Sequence, residues 1–183
     1  MEKQEKPEKK KKRFKIGLRT VKTVVAVFIC CLIDFLRGTD PIQSSIAAVL
    51  CIQPDTKNSI RTGITRIIGT LIGGVTGALV LLFLLEVGIS HNSILFYLIL
   101  CVLLIPVIYI PVRLGWPEAT ALTCIVYIVI VLGYTSEQTP LEMAIERIID
   151  TLIGIAVAVP INAAFPNRNK AKTDSISENE PSI

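Results

Sequence analysis

Histidine is almost missing from this sequence. His91 is the only imidazole in 183 residues, and it stands in a short polar segment between two apolar runs. Acid–base and nucleophilic mechanisms built on histidine therefore lack their central group. Metal ligands are as scarce: Cys30, Cys31, Cys51, Cys101 and Cys124 all fall inside apolar runs, with no Cys-x-x-Cys or His-spaced pattern. The cysteines read as small buried hydrophobes, no metal or cofactor is expected, and an enzyme embedded in a membrane is the least favoured class. Charge is also thin, at 19% of residues, and is crowded into the two ends and the short connections. The formal net charge of +4 thus describes no basic face, and nucleic acid is not an expected partner.

Apolar sequence is what the chain has in abundance. Hydrophobic residues make up 51% and the mean hydropathy is +0.61, too oily for a solvated globule. An all-α, polytopic membrane bundle of six transmembrane helices follows, with the lipid bilayer as its first partner. A basic tail, 1–15, carries Lys9 to Arg13 and Lys15 and reads as a topological anchor. Spans are expected near 16–36, 41–53, 66–85, 94–112, 117–134 and 143–163, the membrane domain covering 16–165, with a polar tail at 166–183. Asp40 and Pro41 read as N-cap and first-turn proline of the second helix, which Pro54 stops. At 1.5 Å per residue that helix covers roughly 20 Å, less than a bilayer core, so Gln43, Ser44, Ser45 and Gln53 should face other helices or water. The polar stretch 55–65 reads as a connection.

One motif occurs twice. Arg66-Ile67-Ile68-Gly69-Thr70-Leu71-Ile72-Gly73 returns as Arg147-Ile148-Ile149-Asp150-Thr151-Leu152-Ile153-Gly154, seven identities in eight. Arg37 and Pro41 recur in the same relation as Arg113 and Pro117, 76 residues on, while the Arg66 and Arg147 copies are 81 apart. The halves, 16–86 and 93–165, hold three spans each. An odd number forces the second to enter the membrane from the opposite side, the inverted-repeat plan of many secondary transporters. With the N-terminal tail in the cytoplasm, Lys57, Arg61, Arg113, Arg168, Lys170 and Lys172 share its side, while Asp40, Glu86, Glu137 and Glu142 fall on the other. That bias places both termini in the cytoplasm and the chain in the inner or plasma membrane.

The repeat nominates the functional residues. Arg66 and Arg147 would stand at opposite faces, either as a surface anchor and a helix-surface pair with Asp150, or as cations that meet an anion at both ends of a path. Lys22 lies deep enough in the first span to face a cavity. Thr70 and Thr151 add hydroxyl donors. Gly69, Gly73 and Gly77 make a bare stripe at four-residue spacing, with Gly154 in the second copy, for close helix packing within or between subunits. A small organic anion with an apolar body suits this set of groups.

Arg19-Thr-Val-Lys22-Thr23, Gln53-Pro54-x-Thr56 before Ser59, the Arg66 to Gly73 motif, and Arg147-x-x-Asp150-Thr151-x-x-Gly154 with Asn162 resemble the aromatic acid exporter family, within the fusaric-acid-resistance-like superfamily. The likeness covers about 14–166. It implies six helices in the inner membrane and export of small aromatic carboxylates; many relatives look longer, with a soluble domain after the last span, so this chain reads as a short form holding the membrane domain only, and so compact a bundle is expected to work as a homo-oligomer. A non-transporting membrane subunit that supports an envelope or partner complex is the alternative.

Overall fold

The computed structural model describes residues 18–89, 93–135 and 138–164. The basic tail, His91, Glu137 and the C-terminal tail with Arg168, Lys170 and Lys172 lie outside them. Six α-helices follow in order: α1 (Leu18–Arg37), α2 (Ile42–Cys51), α3 (Thr56–Glu86), α4 (Ile94–Arg113), α5 (Thr120–Leu132) and α6 (Pro140–Ala164), with a 3-10 turn, Pro117–Ala119, ahead of α5. No strand occurs among the described residues. Of these helices, α3 and α4 are each long and apolar enough to cross a membrane by themselves.

Two boundaries correct the sequence reading. The polar stretch 55–65 is no connection: it forms the first turns of α3, whose 31 residues span about 46 Å. Ser59, Gly63 and Arg66 continue the buried face that Thr70, Gly73 and Gly77 extend, so the polar residues report what that face meets rather than a break in the helix. Arg66 consequently sits ten residues inside α3 instead of at its mouth. Further, α2 starts at Ile42 with Pro41 in the capping position and no side-chain cap from Asp40, and it is only ten residues long. α6 starts at Pro140, three residues ahead of the expected span, and is capped there. The Glu142 amide donates to the Thr139 hydroxyl (3.3 Å) and the Thr139 amide to the Glu142 carboxylate (2.9 Å), a reciprocal capping box with Pro140 as first helical residue.

The helices α3 and α6 form the centre and lie antiparallel. A Cβ on Gly63 would meet Ile155 at 3.1 Å, Thr70 faces Thr151, and a Cβ on Gly74 would meet Ala144 at 3.8 Å. Around this pair the packing is matched: α3 lies on α5 as α6 lies on α2, α1 touches α2 and α6, and α4 touches α5 and α3. Glycine makes the closest of these contacts. A Cβ on Gly73 would lie 2.5 Å from the Thr123 carbonyl oxygen, one on Gly69 3.0 Å from Leu122, and one on Gly77 3.2 Å from Ile130. The stripe therefore faces α5 within the chain. Gly154 meets Ser44 and Ala47 of α2 in the corresponding way.

The buried face of α1 is Lys22, Ala26, Cys30 and Asp34, an i, i+4 row with a charge at each end. Its apolar middle joins Ala48, Cys51, Ile52 and Ala158 in one core cluster. A second cluster, around Leu84, Phe96, Leu100 and Tyr127, fixes α4 and α5 to the end of α3, where the Tyr127 hydroxyl donates to the Leu100 carbonyl (3.1 Å).

Candidate functional site: two unpaired arginines on one cavity

Three cavities share lining residues, one of them with each of the other two. The middle one, 240 Å³, is bounded by Arg66 and Thr70 of α3, Arg147 and Thr151 of α6, and an apolar wall that includes Leu122 and Ile125 of α5. Arg66 also borders a 560 Å³ cavity with Arg61, Gln53 and Glu118, and Arg147 borders one of 270 Å³ with Asp40, Glu146 and Asp150. Each arginine thus lines both the middle cavity and one of the outer two.

Arg66 is only 8% exposed, yet among the described residues it makes no hydrogen bond or ion pair, and its Nε is buried without an acceptor. An uncompensated cation in such a place costs several kcal/mol, so its guanidinium is set to meet an acceptor that the described residues do not provide. Arg147 is half-buried and its Nε is likewise shielded and unbonded. Between the two, the Thr70 and Thr151 hydroxyls are 3.3 Å apart.

The expected Arg147–Asp150 pair is not what forms. Asp150 instead accepts from Arg37 of α1 at 3.0 Å, and the same Arg37 nitrogen donates to Asp34 at 2.9 Å. Asp34 is fully buried and also accepts from the Ser44 hydroxyl. Two carboxylates from two helices thus share one guanidinium, while Arg147 acts on Asp150 only at longer range. Asp34, Arg37 and Ser44 were missed as a set because their meeting depends on how α1 and α2 cross α6. The exchange of Gly69 for Asp150 between the two motif copies was the available signal, since it marks the one repeat position where a charge enters.

Lys22 and Asn162 meet elsewhere. The Lys22 ammonium donates to the Asn162 side-chain oxygen (3.1 Å), and the Asn162 amide donates to the Gln53 carbonyl (2.9 Å) and the Ser59 hydroxyl (2.6 Å). Arg19 adds a bond to the Ile52 carbonyl (3.2 Å). This network ties α1, the α2–α3 link and the end of α6 together, and only Gln53 of it touches the outer cavity at Arg66. Of the sequence candidates, then, Arg66, Thr70, Arg147 and Thr151 gather on one cavity, Asp150 borders the next, and Lys22 and Asn162 stand apart.

A family model described as aromatic acid exporter family member 1 matches residues 14–165, nearly all of the chain. The chain belongs to the aromatic acid exporter family. Membership, together with the apolar helices, makes it a membrane protein of a transport family. Curated relatives match over a shorter stretch: UPF0421 proteins of Staphylococcus saprophyticus and Staphylococcus epidermidis are 35% and 37% identical over 60 residues, 33% of this chain and 18% of theirs. A third, from Staphylococcus haemolyticus, is 34% identical over 64 residues, 35% of this chain and 20% of its own length. The matched part is therefore about a fifth of those relatives. No solved structure matches the chain.

Proposed function

We propose that this family member is an exporter of small organic anions, with aromatic carboxylates as the class its family name suggests, and that the anion passes Arg66 and Arg147 through the middle cavity. The observation that carries the reading is Arg66: a buried guanidinium with no acceptor among the described residues, facing a cavity with apolar walls. A carboxylate would take the Arg66 Nε–H while its apolar body lies against Leu122 and Ile125, and Arg147 would receive it at the other end. The proposed frame is six spans in two inverted three-helix repeats, with both termini in the cytoplasm of the inner or plasma membrane. The antiparallel α3–α6 pair and the matched packing around it support that frame. A homo-oligomer is part of the proposal because the bundle is so compact.

A non-transporting subunit would have every interior charge paired, and Arg66 favours transport over that alternative. Efflux of benzoate from proteoliposomes tests the reading. Arg66→Gln and Arg147→Gln should each lower flux more than tenfold at subsaturating benzoate, about 2 kcal/mol of lost binding, with the protein still monodisperse. Wild-type flux in both variants would remove the claim.

A further inference from the structure

Asp34 and Asp150 form a charge set that is one cation short. Both carboxylates are buried, both accept from a single Arg37 nitrogen, and Ser44 is the other hydrogen-bond donor to Asp34. With both ionised, the three groups carry one excess negative charge, and the nearest cation able to offset it is Arg147, which is not bonded to either. Other groups change this little. On α1, the Cys30 thiol is the remaining titratable neighbour of Asp34; α2 carries no charged residue and its one thiol, Cys51, stands at its far end; α5 carries no charged residue. On α3, Arg66 lies across the middle cavity and Glu86 is exposed at the helix end. Glu146 and Asp40, which border the same outer cavity as Asp150, add further negative charge.

An anion that engages Arg147 takes away the offset on which the pair depends. Its own charge then faces two buried carboxylates that share one guanidinium, and like charges so placed cannot both stay ionised. We propose that an anion bound at Arg147 is bound together with one proton, drawn from the buffered solvent through the outer cavity and held by the Asp34–Asp150 pair. The proton adds to one carboxylate oxygen, the anion adds to the Arg147 guanidinium, and the net charge of the interior is unchanged by the two together. The coupling attaches to the second copy of the motif, because the motif position of Asp150 is Gly69 in the first. This inference rests on the anion reading of Arg147.

The test is calorimetric titration of the purified full chain with benzoate, in buffers of different ionisation enthalpy. All proteins carry His91→Gln to remove the only imidazole, and pH is varied between about 6 and 8.5, where benzoate stays ionised. Uptake of close to one proton per benzoate is expected, with affinity falling up to about tenfold per pH unit at the alkaline end. Asp150→Asn should bind benzoate with no uptake and no pH dependence, and Asp150→Glu should restore both. Asp34→Asn serves in its place if Asp150→Asn does not fold. Saturable binding with no proton uptake in the wild type, or uptake that persists in both asparagine variants, overturns the proton site and leaves the anion site standing. Absence of saturable benzoate binding strikes the reading of Arg147 itself.

Discussion

At the scale of single residues, charge placement separates Arg66 from Arg37. Arg66 has no partner among the described residues, whereas Arg37 holds two buried carboxylates. Arg37→Gln should therefore destabilise the protein by about 2–3 kcal/mol, the low side of the range for breaking a buried pair because its side chain is 28% exposed. Adding Asp150→Asn should return part of that loss, since it leaves one buried charge fewer; unfolding in mixed detergent measures both. A double variant no more stable than the single one would mean that the two carboxylates do not share the guanidinium. The sequence made Arg66, Thr70, Arg147 and Thr151 legible because they recur. It misdirected the pairing of Asp150, since Arg147 three residues earlier is the neighbour that helix spacing supplies. Spacing fixes only neighbours along one helix; Arg37 arrives from another.

Among the helices, close approach at glycine decides which substitutions are tolerated. Gly73→Ala would drive a methyl group into the Thr123 carbonyl and Gly154→Ala one into the backbone of α2 at Ser44, so each should cost about 1–3 kcal/mol as overpacking. Gly74 on the same helix has ordinary contact distance to Ala144, and Gly74→Ala should be neutral or gain up to about 1 kcal/mol in helix propensity. Equal losses at Gly73 and Gly74, read from unfolding midpoints, would show that backbone contact is not the reason. The four-residue glycine spacing made this packing face readable in advance. The early start of α3 was not readable, because 55–65 is polar and polarity speaks of what a segment meets, not of whether it is helical. The same holds at α6, where Thr139→Ala should cost about 1 kcal/mol through its lost cap. The Thr139 amide and hydroxyl hold the Glu142 carboxyl below the usual carboxylate range. That support is present above the ordinary carboxylate pKa and fades as pH falls through the lowered value, visible as faster amide exchange in the first turn of α6.

For the whole molecule, the antiparallel crossing of α3 and α6 at Thr70 and Thr151 ties orientation to mechanism. Two helices that share a motif and cross head to tail carry Arg66 and Arg147 toward opposite ends of the bundle, and the proposed path through the three cavities requires those ends to open on opposite sides of the membrane. Lys57 at the start of α3 then belongs with the Arg66 cavity, and Gln138 just before α6 with the Arg147 cavity, whose border it forms. Single cysteines at these two positions, in a background without the native five, should react with an impermeant maleimide from opposite faces of sealed vesicles: Lys57→Cys from the cytoplasmic face and Gln138→Cys from the other. The outer cavities also differ in sign. Arg61 and Arg66 against Glu118 make the first mouth attractive to anions, while Asp40, Glu146 and Asp150 against Arg147 make the second one repel them. Fields of this kind raise the local anion concentration at one entrance and lower it at the other, more strongly at low salt. Benzoate should accordingly enter more readily from the face that labels Lys57→Cys, with the bias shrinking as ionic strength rises. Labelling of both cysteines from one face would undo the line of cavities, and with it the assignment of one arginine to each end.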